Sequence, residues 1–135
     1  MKRALRKWAL ICLGSALAAL PAAAGHGPDW TVLTIQAAYV KHLLEAGQRV
    51  ILIDLRTVEE YRKSRLPGAL SIPLSELRGR FQDIPKTGLV VLYCACPSAE
   101  IHAAYLFLRD QSYRNLAVMD GDFSFWVKMG YPVER

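Results

Sequence analysis

Residues 89–109 read LVVLYCACPSAEIHAAYLFLR, and this stretch decides how the rest of the chain is organised. It opens with a short apolar, β-branched run over 89–93, which is typical of a buried parallel strand. Cys94 follows, and Pro97 suits the first turn of a helix, where its missing N–H costs nothing. Apolar residues then recur at helical spacing, namely Ile101, Tyr105 and Leu108. The sequence therefore predicts a strand, a tight turn that starts at Cys94, and a helix that packs on the sheet.

Cys94 is the candidate nucleophile of the chain. A thiol at such a turn faces unpaired backbone N–H groups and the positive end of the helix dipole, and both favour the thiolate. Free thiols have a pKa of about 8.5, and helix N-termini lower such values. The alternative is a small buried residue at a strand end, which is a common position for free cysteine.

Residues 1–24 have the pattern of a secretory signal peptide. An apolar run over 8–20 precedes the cleavage pattern Ala22-Ala23-Ala24, and the basic region before it consists of Lys2, Arg3, Arg6 and Lys7. The run of about 13 residues is shorter than the roughly 20 that a membrane span needs. We therefore expect a periplasmic or secreted domain over 25–135, with an uncleaved leader as the alternative and the one route to a membrane.

The charge balance argues against a nucleic-acid partner. The chain holds 17 Lys and Arg against 12 Asp and Glu, and removing the four cations of the leader leaves 13 against 12, or +1. A basic stripe of the kind that binds nucleic acid is not predicted. Two of the three cysteines, Cys94 and Cys96, would remain in an oxidising compartment, and they are too close in sequence to staple the fold.

Strands and helices alternate along the chain. Besides 89–93, strands are predicted over 30–33, 50–55, 69–72 and 116–119. Helices are predicted over 35–46 with Thr34 as N-cap, from the capping box of Thr57 and Glu60 with Tyr61 turned inward, from Ser75 to 81, and over 123–129. This order indicates a mostly parallel sheet covered by helices on both faces, with its site at the carboxyl ends of the strands.

Several blocks of the sequence, in order, resemble a rhodanese-like domain. They are IDLRT at 53–57, EEY at 59–61, LPGALSIPL at 66–74, VVLYC at 90–94, Ala103-Ala104, DGD at 120–122, Trp126, and GYPV at 130–133. The resemblance covers about 100 residues. It implies a single α/β domain with five strands, and it places Cys94 at the position that forms a persulfide in that family.

Sulfur transfer is the chemistry that this resemblance implies. The thiolate takes the outer sulfur of a donor such as thiosulfate or a persulfide, holds it, and passes it to an acceptor thiol, a protein or cyanide. The backbone of the loop would surround that anionic sulfur. The residues implied for this cradle are Ala95, Cys96, Pro97, Ser98, Ala99 and Glu100. Neither a metal nor a cofactor beyond the covalent sulfur is implied.

The loop departs from the pattern of active rhodaneses. That pattern has Gly, Arg, and Ser or Thr at three, five and six positions after the cysteine, where this chain has Pro97, Ala99 and Glu100. A cation is lost and an anion gained, so a doubly negative donor is expected to bind less well. Arg56 or Arg65 is the candidate to compensate for this loss. Asp54 and Arg56 are interpreted chiefly as structural, holding the strand end beside the loop through hydrogen bonds.

The role of Cys96 stays open at this point. It is a candidate to resolve a persulfide on Cys94, to form a disulfide with it or to bind a soft metal such as Cu(I), and the alternative is a loop cysteine packed under the helix. His102 is expected to face away or to pack. A cysteine phosphatase is disfavoured because no Arg or Lys lies between Cys94 and Arg109 to clamp phosphate.

The sequence thus favours a sulfurtransferase or sulfane-sulfur carrier. The alternative is a non-catalytic rhodanese-like binding or redox module in the periplasm.

Overall fold

A five-stranded parallel sheet forms the centre of the computed structural model, which describes residues 31–135. Neighbouring strands in the order β1-β5-β4-β2-β3 all pair in parallel. The strands are Thr34–Gln36 (β1), Val50–Asp54 (β2), Leu70–Ser71 (β3), Leu89–Tyr93 (β4) and Leu116–Asp120 (β5). The predicted fold class is confirmed. The leader predicted over 1–24 lies outside the described residues.

Helices cover both faces of the sheet. They are Ala37–Glu45 (α1), Val58–Lys63 (α2), Leu77–Arg80 (α3), Ser98–Asp110 (α4) and Phe123–Lys128 (α5), with a 3₁₀ turn over Phe81–Asp83 after α3. Buried residues of α3 and α4 pack in one core, and those of α1 and α5 pack in the other. None of these helices within residues 31–135 is long and apolar enough to cross a bilayer.

The pleat of β4 sends successive side chains to opposite cores. Val91 and Tyr93 belong to the core under α1 and α5. Leu92 and Cys94 belong to the core under α3 and α4. The side chain of Cys94 therefore lies on one face of the sheet, while its neighbour Tyr93 is buried on the other.

Local sequence signals predict the middle of the chain well. Strand β4 has its predicted bounds, and the capping box that starts α2 is present, with the Thr57 amide donating to Glu60 Oε2 at 3.0 Å and the Glu60 amide donating to Thr57 Oγ1 at 3.3 Å. Tyr61 is half-buried and its hydroxyl donates to the Ala69 carbonyl at 2.7 Å. Each of these features depends on residues close together in the chain.

Two predicted helix starts are wrong. Thr34 does not cap α1, because it lies in β1, paired with Val118 of β5, and α1 begins at Ala37. The β-branched pair Thr34 and Ile35 fits this edge strand. Ser75 does not cap α3 either, since Glu76 precedes its first residue, Leu77. The start of α1 is determined by the pairing of β1 with β5, which is distant in sequence. Capping patterns depend only on neighbouring residues and cannot predict such a pairing.

The two charged side chains that residues 31–135 bury, Asp54 and Arg56, form a bidentate ion pair. Arg56 Nε donates to Asp54 Oδ1 at 2.9 Å, and Arg56 Nη2 donates to Oδ2 at 2.6 Å. The Tyr93 hydroxyl also donates to Asp54 Oδ2 at 2.6 Å, and it accepts from the Leu66 amide at 3.2 Å. We call these three side chains, Asp54, Arg56 and Tyr93, the polar cluster.

The surroundings of the polar cluster keep its charges fixed. Burial raises the pKa of the Tyr93 phenol, and the Asp54 carboxylate beside it raises that pKa further. Burial opposes the charge on Arg56, but the hydrogen bonds and the charge of Asp54 outweigh it and raise the pKa of the guanidinium. The phenol thus stays neutral, and the guanidinium stays ionised, across the ordinary pH range.

We expect Tyr93→Phe to lower the free energy of unfolding by about 1–3 kcal/mol, because it leaves a buried amide and a carboxylate oxygen short of a partner. The folded-state pKa of Tyr93 is raised, so its contribution is fully present below about pH 10 and is lost as the pH rises further. Urea unfolding should therefore show a gap between wild type and variant that narrows above about pH 10.

Tyr39→Phe is the control for this comparison, because Tyr39 is exposed. Equal stability of Tyr93→Phe and wild type near neutral pH would contradict the role given to the polar cluster.

Candidate active site

Cys94 immediately follows β4, at the carboxyl edge of the sheet, and it is joined to Cys96 by a disulfide. The Cys94 residue is buried, with 7% of its surface exposed, whereas Cys96 is half-buried. The Cys94 carbonyl accepts a hydrogen bond from the Phe123 amide at 3.2 Å. One bond therefore ties the site to the start of α5.

A cleft of about 200 Å³ opens beside the two cysteines. One wall is the start of α4, and the opposite wall is the carboxyl end of β5 with the turn that follows it. Its lining residues are Thr34, Cys94, Cys96, Ser98, Ile101, His102, Val118, Met119, Asp120, Gly121 and Asp122. Both sulfur-bearing residues are thus in contact with one small open space.

The cleft is acidic on its β5 side. Asp120 and Asp122 are both exposed, and Asp122 Oδ1 accepts from the Phe125 amide at 2.8 Å as the N-cap of α5. Among the described residues, no lysine or arginine lines the cleft, and His102 is the one histidine that does. Negative charge is therefore the main electrostatic feature of this cleft.

The predicted cradle residues separate into three groups. Cys96 and Ser98 line the cleft with Cys94, whereas Ala95, Pro97 and Ala99 are exposed at the loop surface. Glu100 lines a different groove, between α3 and α4. Its carboxylate is thus placed away from the walls of the cleft that holds Cys94.

The backbone of the loop offers fewer donors than its length suggests. Pro97 is the N-cap of α4 and has no N–H. The Glu100 amide donates to the Pro97 carbonyl at 2.9 Å, so it is used within the first turn. The amides of Ser98 and Ala99 occupy the first two helical positions, which have no intrahelical acceptor. These two donors, at the positive end of a 13-residue helix, are the ones best placed to attract an anion.

Neither candidate arginine lines the cleft. Arg56 is held in the polar cluster on the opposite face of the sheet, and its Nη2 also donates to the Ser64 carbonyl at 2.8 Å. Arg65 forms an ion pair with Glu134 at 3.3 Å. The cation that is missing from the loop is therefore not replaced by either of these side chains in this structure.

The polar cluster instead supports the backbone around Cys94. Tyr93 directly precedes Cys94, and the Phe123 amide binds the Cys94 carbonyl. The Arg56 guanidinium lies 3.6 Å from the centre of the Phe123 ring and 5.7 Å from that of Tyr93. The buried Arg56 cation thus lies against two rings, that of Tyr93, which precedes Cys94, and that of Phe123, whose amide binds the Cys94 carbonyl.

Sequence reasoning did not assign to the site the histidine and the two aspartates that line the cleft. His102 was expected to face away or to pack, and facing away is wrong, because it lines the cleft one helical turn after Ser98. The spacing of four between these residues was the available signal. Asp120 and Asp122 follow β5, and only the sheet order shows that β5 lies next to β4. Among the described residues, no group of three or more His, Cys, Asp or Glu side chains is arranged to hold a metal ion.

Comparisons with known proteins identify relatives of this chain. The family model of the rhodanese-like domain matches residues 36–129. A protein named sulfurtransferase from Allochromatium vinosum is 32% identical over 99 residues, which cover 73% of this chain and 92% of that protein. YrkF of Bacillus subtilis, provisionally named a sulfur carrier protein, is 28% identical over 54 residues, 40% of this chain and 29% of that protein.

A solved structure gives the same result for the fold. The crystal structure of a rhodanese-related protein from Thermoplasma volcanium superposes with a TM-score of 0.65 at 26% identity, and the match covers 76% of this chain and 97% of that one. The family match and the sulfurtransferase relative together show that this chain belongs to the rhodanese-like domain family.

Proposed function

We propose that this domain is a sulfurtransferase or sulfane-sulfur carrier that moves sulfur as a persulfide on Cys94. The observation that carries the proposal is the place of Cys94, at the end of the central strand β4 and in contact with a small open cleft. Family membership and the relative named sulfurtransferase support sulfur transfer as the general role.

The transfer needs Cys94 in its reduced form, since a disulfide-bonded sulfur is not a nucleophile. The Cys94 thiolate then attacks the outer sulfur of the donor. With thiosulfate, the S–S bond of the donor breaks, its electron pair leaves with sulfite, and Cys94 carries the outer sulfur as a persulfide anion. An acceptor thiolate next attacks that outer sulfur and returns Cys94 as a thiolate.

The chain stabilises this chemistry through its backbone. The Ser98 and Ala99 amides, at the positive end of α4, favour both the thiolate and the persulfide anion. The cleft of about 200 Å³ is smaller than the roughly 300–1,000 Å³ of drug-sized ligand sites. Small sulfur compounds are therefore the class of donor that we propose, with a small thiol or a protein thiol as the acceptor.

The acidic wall of the cleft bears on the choice of donor. Asp120 and Asp122 repel a dianion such as thiosulfate, and no lysine or arginine of residues 31–135 lines the cleft to oppose them. We propose that the preferred donor carries less negative charge, as the persulfide of a small neutral thiol does. The same acidity is the observation that favours the alternative, a binding or redox module without catalytic turnover.

We also propose that the domain acts after export, in the periplasm or outside the cell. The basic and apolar pattern of residues 1–24 supports this proposal. Comparing the N-terminus of the exported protein with the predicted cleavage after Ala24 tests it.

Intact-protein mass spectrometry tests the proposed chemistry. Fully reduced protein, incubated with thiosulfate or a small-molecule persulfide without oxygen, should gain the mass of one sulfur in the Cys96→Ser variant. The Cys94→Ser variant should gain none, because it lacks the nucleophile. If Cys96→Ser takes no sulfur from either donor, the transfer function is wrong and the binding module becomes the better account.

We expect Asp120→Asn to raise the rate of loading from thiosulfate by about twofold to fivefold at low ionic strength, since one repelling charge is removed from the cleft. Added salt should abolish the difference, because it screens the exposed carboxylate. Both loading rates, with and without Asp120→Asn in the Cys96→Ser background, are measured by mass spectrometry of samples quenched at successive times.

Asp110→Asn supplies the matched control, because it removes the same charge at the far end of α4, about 18 Å from Ser98 along the helix. An equal effect of both substitutions, or no effect of Asp120→Asn, would contradict the electrostatic account of donor choice.

A further inference from the structure

The disulfide between Cys94 and Cys96 shows that this fold holds the two sulfur atoms within bonding distance of each other. Their Cα atoms are 5.3 Å apart across a single intervening residue. The sulfur of Cys96 therefore reaches the inner position of any persulfide that forms on Cys94, namely Cys94 Sγ itself. An attack at this atom expels the outer sulfur instead of transferring it.

We propose that Cys96 is a resolving thiol that converts the Cys94 persulfide into the Cys94–Cys96 disulfide and releases the carried sulfur as sulfide. This inference rests on the proposed function, because it needs a persulfide on Cys94. It changes the outcome of the reaction from sulfur transfer to sulfur reduction.

The step balances within the chain. The sulfur of Cys96 forms a bond to Cys94 Sγ, and the bond between Cys94 Sγ and the outer sulfur breaks. The electron pair of that bond leaves with the outer sulfur, which takes the proton of the Cys96 thiol and departs as hydrosulfide. The outer sulfur is reduced, and the two cysteines are oxidised to the disulfide. Each further turnover needs a dithiol reductant that opens this disulfide.

Proximity favours this internal attack over transfer to an outside acceptor. A thiol held on the same short loop acts at a high effective concentration, whereas a free acceptor must enter a cleft whose β5 wall bears Asp120 and Asp122. Hydrosulfide leaves through this same open and negatively charged space. Cys96 is half-buried while Cys94 is buried, so an external reductant meets the sulfur of Cys96 first.

The test compares wild type with Cys96→Ser, which keeps the nucleophile and removes the resolving thiol. Both proteins are fully reduced, freed of reductant without oxygen, and loaded with a small-molecule persulfide, with a sample without donor as control. Sulfide release and intact mass are then followed together. Cys94→Ser shows the background release from the donor.

Wild type should release about one sulfide per chain and end two hydrogen masses below the dithiol, whereas Cys96→Ser should hold its added sulfur at least about tenfold longer. If wild type and Cys96→Ser hold the added sulfur for equal times, the resolving role is overturned and the carrier function stands. If Cys96→Ser never gains sulfur, the proposed function fails, and the resolving role fails with it.

Discussion

The buried ion pair between Asp54 and Arg56 is the interaction on which the arrangement of the site depends. It lies at the carboxyl end of β2, where β4 ends beside it in the sheet. Tyr93 joins it through its hydroxyl, so the last residue of β4 is fixed in position. A buried pair of this kind is costly to break, since loss of one partner typically costs about 3–5 kcal/mol. The polar cluster therefore holds the end of β4 in place, and with it the position of Cys94 beside the cleft.

The pleat of β4 places the residues that hold the strand and the cysteine proposed to carry sulfur on opposite faces of the sheet. Tyr93 and the polar cluster occupy one face of the sheet, and Cys94 points to the other. The Arg56 guanidinium lies against the rings of Tyr93 and Phe123. It therefore stabilises the backbone around Cys94 and does not line the cleft. The cleft is lined by two aspartates, His102 and the start of α4, an arrangement that fits the small donor of low charge that we propose.

The sequence predicts those parts of the structure that short-range patterns determine. The apolar run of β4, the helical spacing of Ile101, Tyr105 and Leu108, and the capping box at Thr57 all depend on neighbours in the chain. The resemblance to the rhodanese-like family adds the number of strands. Thr34 was assigned wrongly because its partner, Val118, is distant in sequence.

Local sequence patterns could not predict which residues line the cleft, because these residues are also distant from one another in sequence. Asp120 lines the same cleft as Cys94 only because β5 lies between β1 and β4 in the sheet. The side of the helix on which His102 lies depends on the residue where α4 begins, and the sequence left that start uncertain by a residue. The pairing of Cys94 with Cys96 depends on the path of the loop, which spacing alone did not decide among several roles for Cys96.

The most direct test of the account is a crystal structure of the Cys96→Ser variant after loading with a small persulfide. The account predicts one additional sulfur bonded to Cys94 Sγ, inside the cleft beside Ser98, with the polar cluster unchanged. A cleft without added sulfur, or a sulfur bonded to any other atom, would contradict it.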